Sequence, residues 1–374
     1  MRGRCEYVRW RAAPDRADGV TSMSVKAWAT TALFVVLVAA GMPCRAAGVG
    51  IAALEMADPV GGGTMSGYLF YPASVPAGST TTLGSYTVAA TRDAPALAGA
   101  KPLIVISHGQ AGSSLGHHDL ATTLAGAGFI VATLEHPKDN VRDASGVGTS
   151  AVLVGRPVQV SATIDALLAD ARWKDRIDPR RIGVAGYSVG GYTALMAVGA
   201  VPRFVRLIGY CTRHRRSGAI CNDARRLAAE ARTHGLSLQA YLAGVQDDLT
   251  RRGPTADPRI RAAFVMAPLG LLFDGPGLAA VDRPVFLAYG EHDEILLPPE
   301  NALHVKREVK TLDGVRAVPK ADHWVFLAPC SAALAETMPE PCRDPEGVDR
   351  AAVHAQVDAD AVAFFRKTLA VAGD

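Results

Sequence analysis

The chain has 374 residues, enough for one large domain or two small ones. It is 49% hydrophobic and 20% charged, ample for a sizeable core. A formal net charge of +3 is too weak to argue for nucleic acid, and no stretch looks like a nucleic-acid module.

Residues 1–46 read as a leader. Lys26 precedes an apolar run from Ala32 to Ala40, and small residues follow. That is the pattern of a secretory signal peptide over about residues 23–46, cut after Ala46, with Cys44 and Ala46 as the small residues at the cleavage site. The run is short for a membrane span, which needs about 20 apolar residues. The arginine-rich stretch before Met23 is unusual in a signal peptide, so either Met23 is the start or the leader is long.

The mature chain, 47–374, alternates strand-like and helix-like segments. "IAALEMA" and "SGYLFYP" are strand candidates split by the turn-forming "DPVGGG", and "TTTLGSY" reads as loop. "PLIVISHG" is a nearly continuous apolar run, as expected of a strand buried on both faces. A helix, "HDLATTLAGAG", is followed by a second buried strand, "FIVATLEHP". The long helix "GRPVQVSATIDALLADARW" comes next, then a turn at "DPRR", a third buried strand "RIGVAGYS" and the small-residue helix "VGGYTALMAVGA". Residues 201–258 are basic and helical with no strand, which predicts a helical lid inserted over the main body. Strand character returns in "IRAAFVMAP", "PVFLAYGEHD" and "VRAVPKADH", and a long helix closes the chain. This order predicts a mostly parallel sheet with helices on both faces, and sites at the carboxyl ends of its strands.

Four of the six cysteines form close pairs, Cys211 with Cys221 and Cys330 with Cys342. In an oxidising compartment these are reasonable disulfides, each worth roughly 2–3 kcal/mol. Their spacings match no zinc site.

"AGYSVGG" sets Ser188 between Gly186 and Gly190, after a strand and before a helix. A sharp strand-to-helix turn exposes such a hydroxyl, and glycines avoid clashes there. The Val189 N–H then stands at a helix N-terminus, where the dipole favours a developing oxyanion. A serine needs a base, and the base needs an orienting acid. Asp293 closes the strand "PVFLAYGEHD" on the correct edge. Of the histidines after Ser188, only His323 lies in a loop after the last strand candidate: His214 and His234 are in the insertion, His292 neighbours Asp293, and His304 and His354 are in helical patterns. In "SHGQAGS", Gly109 permits a tight turn that aims the Gln110 N–H at the serine. His108 is a rival base or a brace of that loop, and a candidate substrate contact. Tyr187, Trp324 and Phe326 form either an acyl pocket or ordinary core.

"PLIVISHGQAGS", "FIVATLEHP", "RIGVAGYSVGGYTAL", "YGEHDEILLP" and "ADHWVFLAPC" together resemble the α/β-hydrolase superfamily. More narrowly, they are similar to the bacterial branch of predicted dienelactone hydrolases and its relatives, the plasma-type platelet-activating factor acetylhydrolases. The resemblance runs from about residue 50 to the C-terminus. It implies an α/β-hydrolase fold, Ser188 as nucleophile, Asp293 as orienting acid, His323 as base, and Gln110 and Val189 as backbone donors. Dienelactone hydrolases carry a cysteine nucleophile where this chain has Ser188, so their substrate does not transfer.

Glu135, His136, Asp139 and Asn140 cluster near His117 and His118, but without diagnostic ligand spacing. Arg213, Arg215 and Arg216 would meet an anionic group or face solvent. The expectation is an exported serine esterase without cofactor, acting on a small-molecule or lipid-like ester. Its rivals are an acyltransferase, thioesterase, amidase or polyester hydrolase on the same residues, and a non-catalytic binding protein on this fold.

Overall fold

The computed structural model describes residues 47–214 and 218–370. The expected leader, Arg215 and Arg216 lie outside the described residues.

The strands are β1 (Ala47–Ala57), β2 (Thr64–Pro76), β3 (Thr81–Leu83), β4 (Tyr86–Val88), β5 (Thr91–Arg92), β6 (Lys101–Ser107), β7 (Ile130–Leu134), β8 (Ile177–Tyr187), β9 (Ile260–Met266), β10 (Val285–Gly290) and β11 (Leu312–Val318). Nine form one sheet in the order β11-β10-β9-β8-β6-β7-β2-β1-β5. From β7 to β11 every pairing is parallel, while β2 joins β7 and β1 joins β2 antiparallel.

The helices are α1 (His118–Gly126), α2 (Ser150–Leu153), α3 (Gly155–Ala169), α4 (Val189–Ala197), α5 (Arg206–Arg213), α6 (Gly218–Thr233), α7 (Leu238–Arg252), α8 (Gly275–Ala279), α9 (Ala302–Glu308), α10 (Ala332–Thr337) and α11 (Arg350–Thr368). Strand residues alternate between two apolar layers. Leu103 and Val105 pack with residues of α3 and α4, whereas Ile104 and Ile106 pack with residues of α1 and α11. Both faces are covered, so β6 and β7 read as nearly continuous apolar runs.

Two expectations are corrected. "TTTLGSY" forms most of a small hairpin: Thr81 pairs with Val88 and Leu83 with Tyr86. "DPRR" is not a separate turn but part of β8, whose pairing with β6 shifts register between Lys101 and Leu103.

The chain leaves β6 for β7 on one side and returns to β8 on the other. The order therefore reverses between β6 and β8, and their carboxyl ends open a crevice there, where ligands bind in sheets of this kind. Helices α5–α7 come from the basic segment between α4 and β9. The Cys211–Cys221 disulfide joins α5 to α6, with Cα atoms 5.5 Å apart.

Candidate active site

Ser188 follows β8 and precedes α4, with φ 56° and ψ −117°. This is left-handed backbone that a serine rarely adopts, at a cost of order 1–3 kcal/mol. Neighbouring backbone holds it. The Ser188 N–H donates to Met266 O at 2.9 Å, and the Ser188 carbonyl accepts from Tyr192 and Leu269 N–H at 3.1 Å. The tight turn explains the flanking glycines. A Cβ at Gly186 would stand 2.0 Å from Gly190 O, and one at Gly190 would stand 1.9 Å from Ser107 O.

His323 opens a short 3-10 turn, His323–Phe326, beyond β11. Its Nε2 lies 3.0 Å from Ser188 Oγ, and its Nδ1 lies 2.6 Å from Asp293 Oδ2. Asp293 Oδ1 accepts from the Ile295 and Leu296 N–H groups at 2.9 and 2.7 Å. All three side chains are buried. A carboxylate acceptor at Nδ1 fixes the proton there, leaving Nε2 free to take the Ser188 proton. Tyr187 steadies the histidine: its hydroxyl donates to His323 O at 3.0 Å, and its ring lies 5.0 Å from the imidazole.

Ser188 opens into a cavity of about 210 Å³ that Gln110, Tyr187, Val189, His323 and Trp324 also line. Among the described residues, neither the Gln110 nor the Val189 backbone N–H has a hydrogen-bond acceptor. Two unspent donors beside a serine hydroxyl are what an oxyanion hole requires.

His108 is not among the residues that line this cavity. It is buried below the loop, where Nδ1 donates to Gly109 O at 2.6 Å and Nε2 accepts from His136 N–H at 3.1 Å. Burial, reinforced by the Arg156 charge, holds it well below the usual imidazole range. Phe326 is core rather than pocket wall. The remaining histidines are engaged elsewhere or exposed: His214 meets Glu300 at 2.6 Å, His304 donates to Phe273 O at 3.0 Å, and His292 is exposed.

Glu135, His136 and Asp139 are each tied into other contacts. Glu135 pairs with Arg142 at 2.5 Å. Asp139 Oδ2 accepts from Arg156 Nη1 at 2.6 Å, and its Oδ1 accepts from the Ala111 N–H at 2.8 Å. Arg156 also donates to His108 O and, at 3.0 Å, to Ser107 Oγ. Ser107 Oγ lies 2.9 Å from His136 Nε2, His136 Nδ1 donates to Gln159 Oε1 at 2.7 Å, and Gln159 donates to Asp58 at 3.0 Å. This buried chain grips both ends of the loop that presents Gln110. Sequence reasoning missed Arg156 and Gln159. A signal existed: they sit three apart on the buried stripe of α3, with Val160, Thr163 and Ile164, where an unpaired polar residue would be costly.

The second disulfide, Cys330–Cys342, closes the segment after His323, with Cα atoms 5.7 Å apart. That segment contains α10, capped by Ser331 Oγ accepting from Leu334 N–H at 3.2 Å. Glu340, just before Cys342, lines the Ser188 cavity.

Residues 74–152 match the family model of platelet-activating factor acetylhydrolase, isoform II, a stretch that carries Gln110 and Asp139 and ends before Ser188. No curated protein matches the chain. Among solved structures, ferulic acid esterase from Streptomyces cinnamoneus superposes with a TM-score of 0.57 at 20% identity, over 88% of this chain and 92% of that one. Dienelactone hydrolase from Anabaena variabilis gives a TM-score of 0.45 at 15% identity, over 85% of this chain and 99% of its own. A dienelactone hydrolase-like promiscuous phosphotriesterase from metagenomic libraries gives 0.49 at 15%, over 85% and 98%. The chain has the α/β-hydrolase fold. Over residues 74–152 it resembles the platelet-activating factor acetylhydrolases.

Proposed function

We propose that the chain is a serine esterase that cleaves carboxylic esters through an acyl-enzyme. One observation carries the reading: Ser188 Oγ, His323 and Asp293 form a single hydrogen-bonded line, 3.0 and 2.6 Å between partners, at a strained strand-to-helix turn. Ser188 Oγ attacks the ester carbonyl carbon while His323 Nε2 takes its proton. The carbonyl oxygen becomes an oxyanion held by the Gln110 and Val189 N–H groups. The imidazolium returns its proton to the leaving alcohol as the C–O bond breaks. Water then attacks the acyl-enzyme by the same route and releases the acid. Asp293 keeps the imidazole oriented and stabilises its charge. No step calls for a metal or a cofactor.

Two disulfides support an oxidising compartment, in keeping with export directed by residues 23–46. In this reading residues 47–374 are the hydrolase domain, and 201–258 its lid.

A fluorophosphonate probe tests the assignment. It should label Ser188, and Ser188→Ala should lose labelling and ester turnover while keeping the fold, since the change removes one oxygen and leaves the backbone turn and its hydrogen bonds in place. Labelling that persists at the wild-type rate on another serine overturns it.

A further inference from the structure

A second cavity, of about 60 Å³, lies under α5–α7 and is lined by Val152, Leu153, Leu227, Leu242, Leu271 and Leu272, among others. Gln110, Val189, Ile220, Asp223 and Leu269 line both this cavity and the one at Ser188. The Gln110 side chain donates to Asp223 Oδ2 of α6 at 3.0 Å within that shared wall. The cavity's other carboxylate, Asp139, is spent on Arg156 and the Ala111 N–H. What remains is an apolar surface.

The chemistry of ester cleavage gives the two sides of Ser188 different occupants. The leaving oxygen must receive its proton from His323 Nε2, so the alcohol lies on the His323 side. There the Ser188 cavity runs into an open groove of about 590 Å³ lined by His292, Glu294, Lys320, Asp322 and Arg343. Ile295, His323, Trp324 and Glu340 belong to both. The apolar cavity is lined by neither Ser188 nor His323, but by Gln110 and Val189, whose N–H groups would hold the oxyanion. The acyl chain points that way.

We infer that the cavity under α5–α7 receives the end of the acyl chain, so that the substrates are esters joining an unbranched aliphatic acid to a polar alcohol. The inference rests on the ester-hydrolase reading above. The cavity, about 60 Å³ and lined mainly by leucine and valine, has room for chain atoms beyond the carbons nearest Ser188, so acids longer than acetate are preferred.

The test is a p-nitrophenyl ester series from acetate to decanoate, with a second series of butyrate esters that varies the alcohol. Two variants are compared with wild type. Ile220→Trp fills the shared wall from a half-buried position that accepts bulk. Leu227→Ala enlarges the cavity from α6. For Ile220→Trp the ratio of kcat/KM for hexanoate to that for acetate should fall about tenfold, the effect of losing one or two methylene sites. For Leu227→Ala the optimum should move to longer acids, and in neither variant should the ranking of alcohols change. An unaltered acyl profile with a changed alcohol profile assigns the cavity to the alcohol and overturns the inference. Unaltered profiles in both series overturn it as well. Because Ile220→Trp alone decides between these outcomes, a poorly folded Leu227→Ala leaves the test intact. Failure of the ester-hydrolase reading is recognised separately, by phosphonate labelling away from Ser188.

Discussion

Arg156 Nη1 meets Asp139 Oδ2 at 2.6 Å with both side chains sealed from solvent. The pair does not touch Ser188, yet it holds the Gln110 loop from both ends: Arg156 binds His108 O before Gln110, and Asp139 binds the Ala111 N–H after it. Ala111 has φ 50°, so the loop needs that grip. Removing one charge strands the other in the interior. Asp139→Asn should therefore cost about 3–5 kcal/mol in chemical denaturation. At temperatures where the variant remains folded, kcat should fall more than KM rises, because the lost donor geometry matters most to the oxyanion. A variant of wild-type stability would show that the pair is dispensable.

Asp293 divides its two oxygens between the backbone and His323. In Asp293→Asn the remaining oxygen would keep the Ile295 and Leu296 N–H groups, and the amide nitrogen would face His323 Nδ1. That nitrogen would then have to accept, moving the ring proton to Nε2, where the Ser188 hydroxyl needs an acceptor. Turnover should fall about 10⁴-fold with little loss of fold. Steady-state kinetics with p-nitrophenyl butyrate give the answer, and near-normal turnover would place the orienting acid elsewhere.

The strand–helix order was legible because strands covered on both faces are nearly all apolar, as β7 is at four of its five positions. The same logic marked Ser188, Asp293 and His323 as residues beyond strand ends, and the structure brings their side chains together. The β3–β4 hairpin was hidden because its threonines and exposed positions carry no apolar run. The bracing place of His108 was legible, but its partners were not: whether a strand-end histidine faces a cavity or the loop beneath it depends on Arg156 and His136, which come from other elements. The cavity under α5–α7 depends on how three helices stack, which periodicity within each helix does not encode.

Cys330–Cys342 closes a loop of 12 residues' separation that begins seven positions after His323. The loop is pinned elsewhere only lightly, for instance by Ser331 Oγ donating to Ser85 O at 2.7 Å. Chain-entropy arguments give such a closure about 3 kcal/mol. Cys330→Ser with Cys342→Ser should lower the melting temperature and turnover together, because Glu340 and Trp324 line the Ser188 cavity. Loss of Cys211–Cys221 should instead alter acyl preference, since that bond ties α5 to α6 above the apolar cavity. Peptide mapping under non-reducing conditions checks both pairings. Free thiols at all four positions would refute them.

The last prediction concerns Asp358 of α11, which accepts from Thr123 Oγ1 at 2.9 Å and lies beside the Asp119–His354 pair. Burial, with the Asp119 charge adding to it, pushes the Asp358 carboxyl up to about 7 from an ordinary 3.8, while Thr123 and His354 pull the other way. The folded protein therefore keeps a proton that the unfolded chain releases near pH 4. Stability from this group is present in full below about pH 4 and is lost as pH rises through about 7. His354, raised by Asp119, loses its contribution in the same direction. An asparagine at 358 keeps the acceptor for Thr123 and has no proton to lose. Asp358→Asn should match wild type near pH 4, melt a few degrees higher at pH 8, on the order of 1 kcal/mol, and show a shallower fall between them. His354 Nε2 donates to Val325 O at 2.7 Å, two residues from His323, so activity should follow the same trend where the wild type begins to loosen. Melting curves of the two proteins at pH 4 to 8 decide the matter, and parallel curves would mean that Asp358 is ionised throughout.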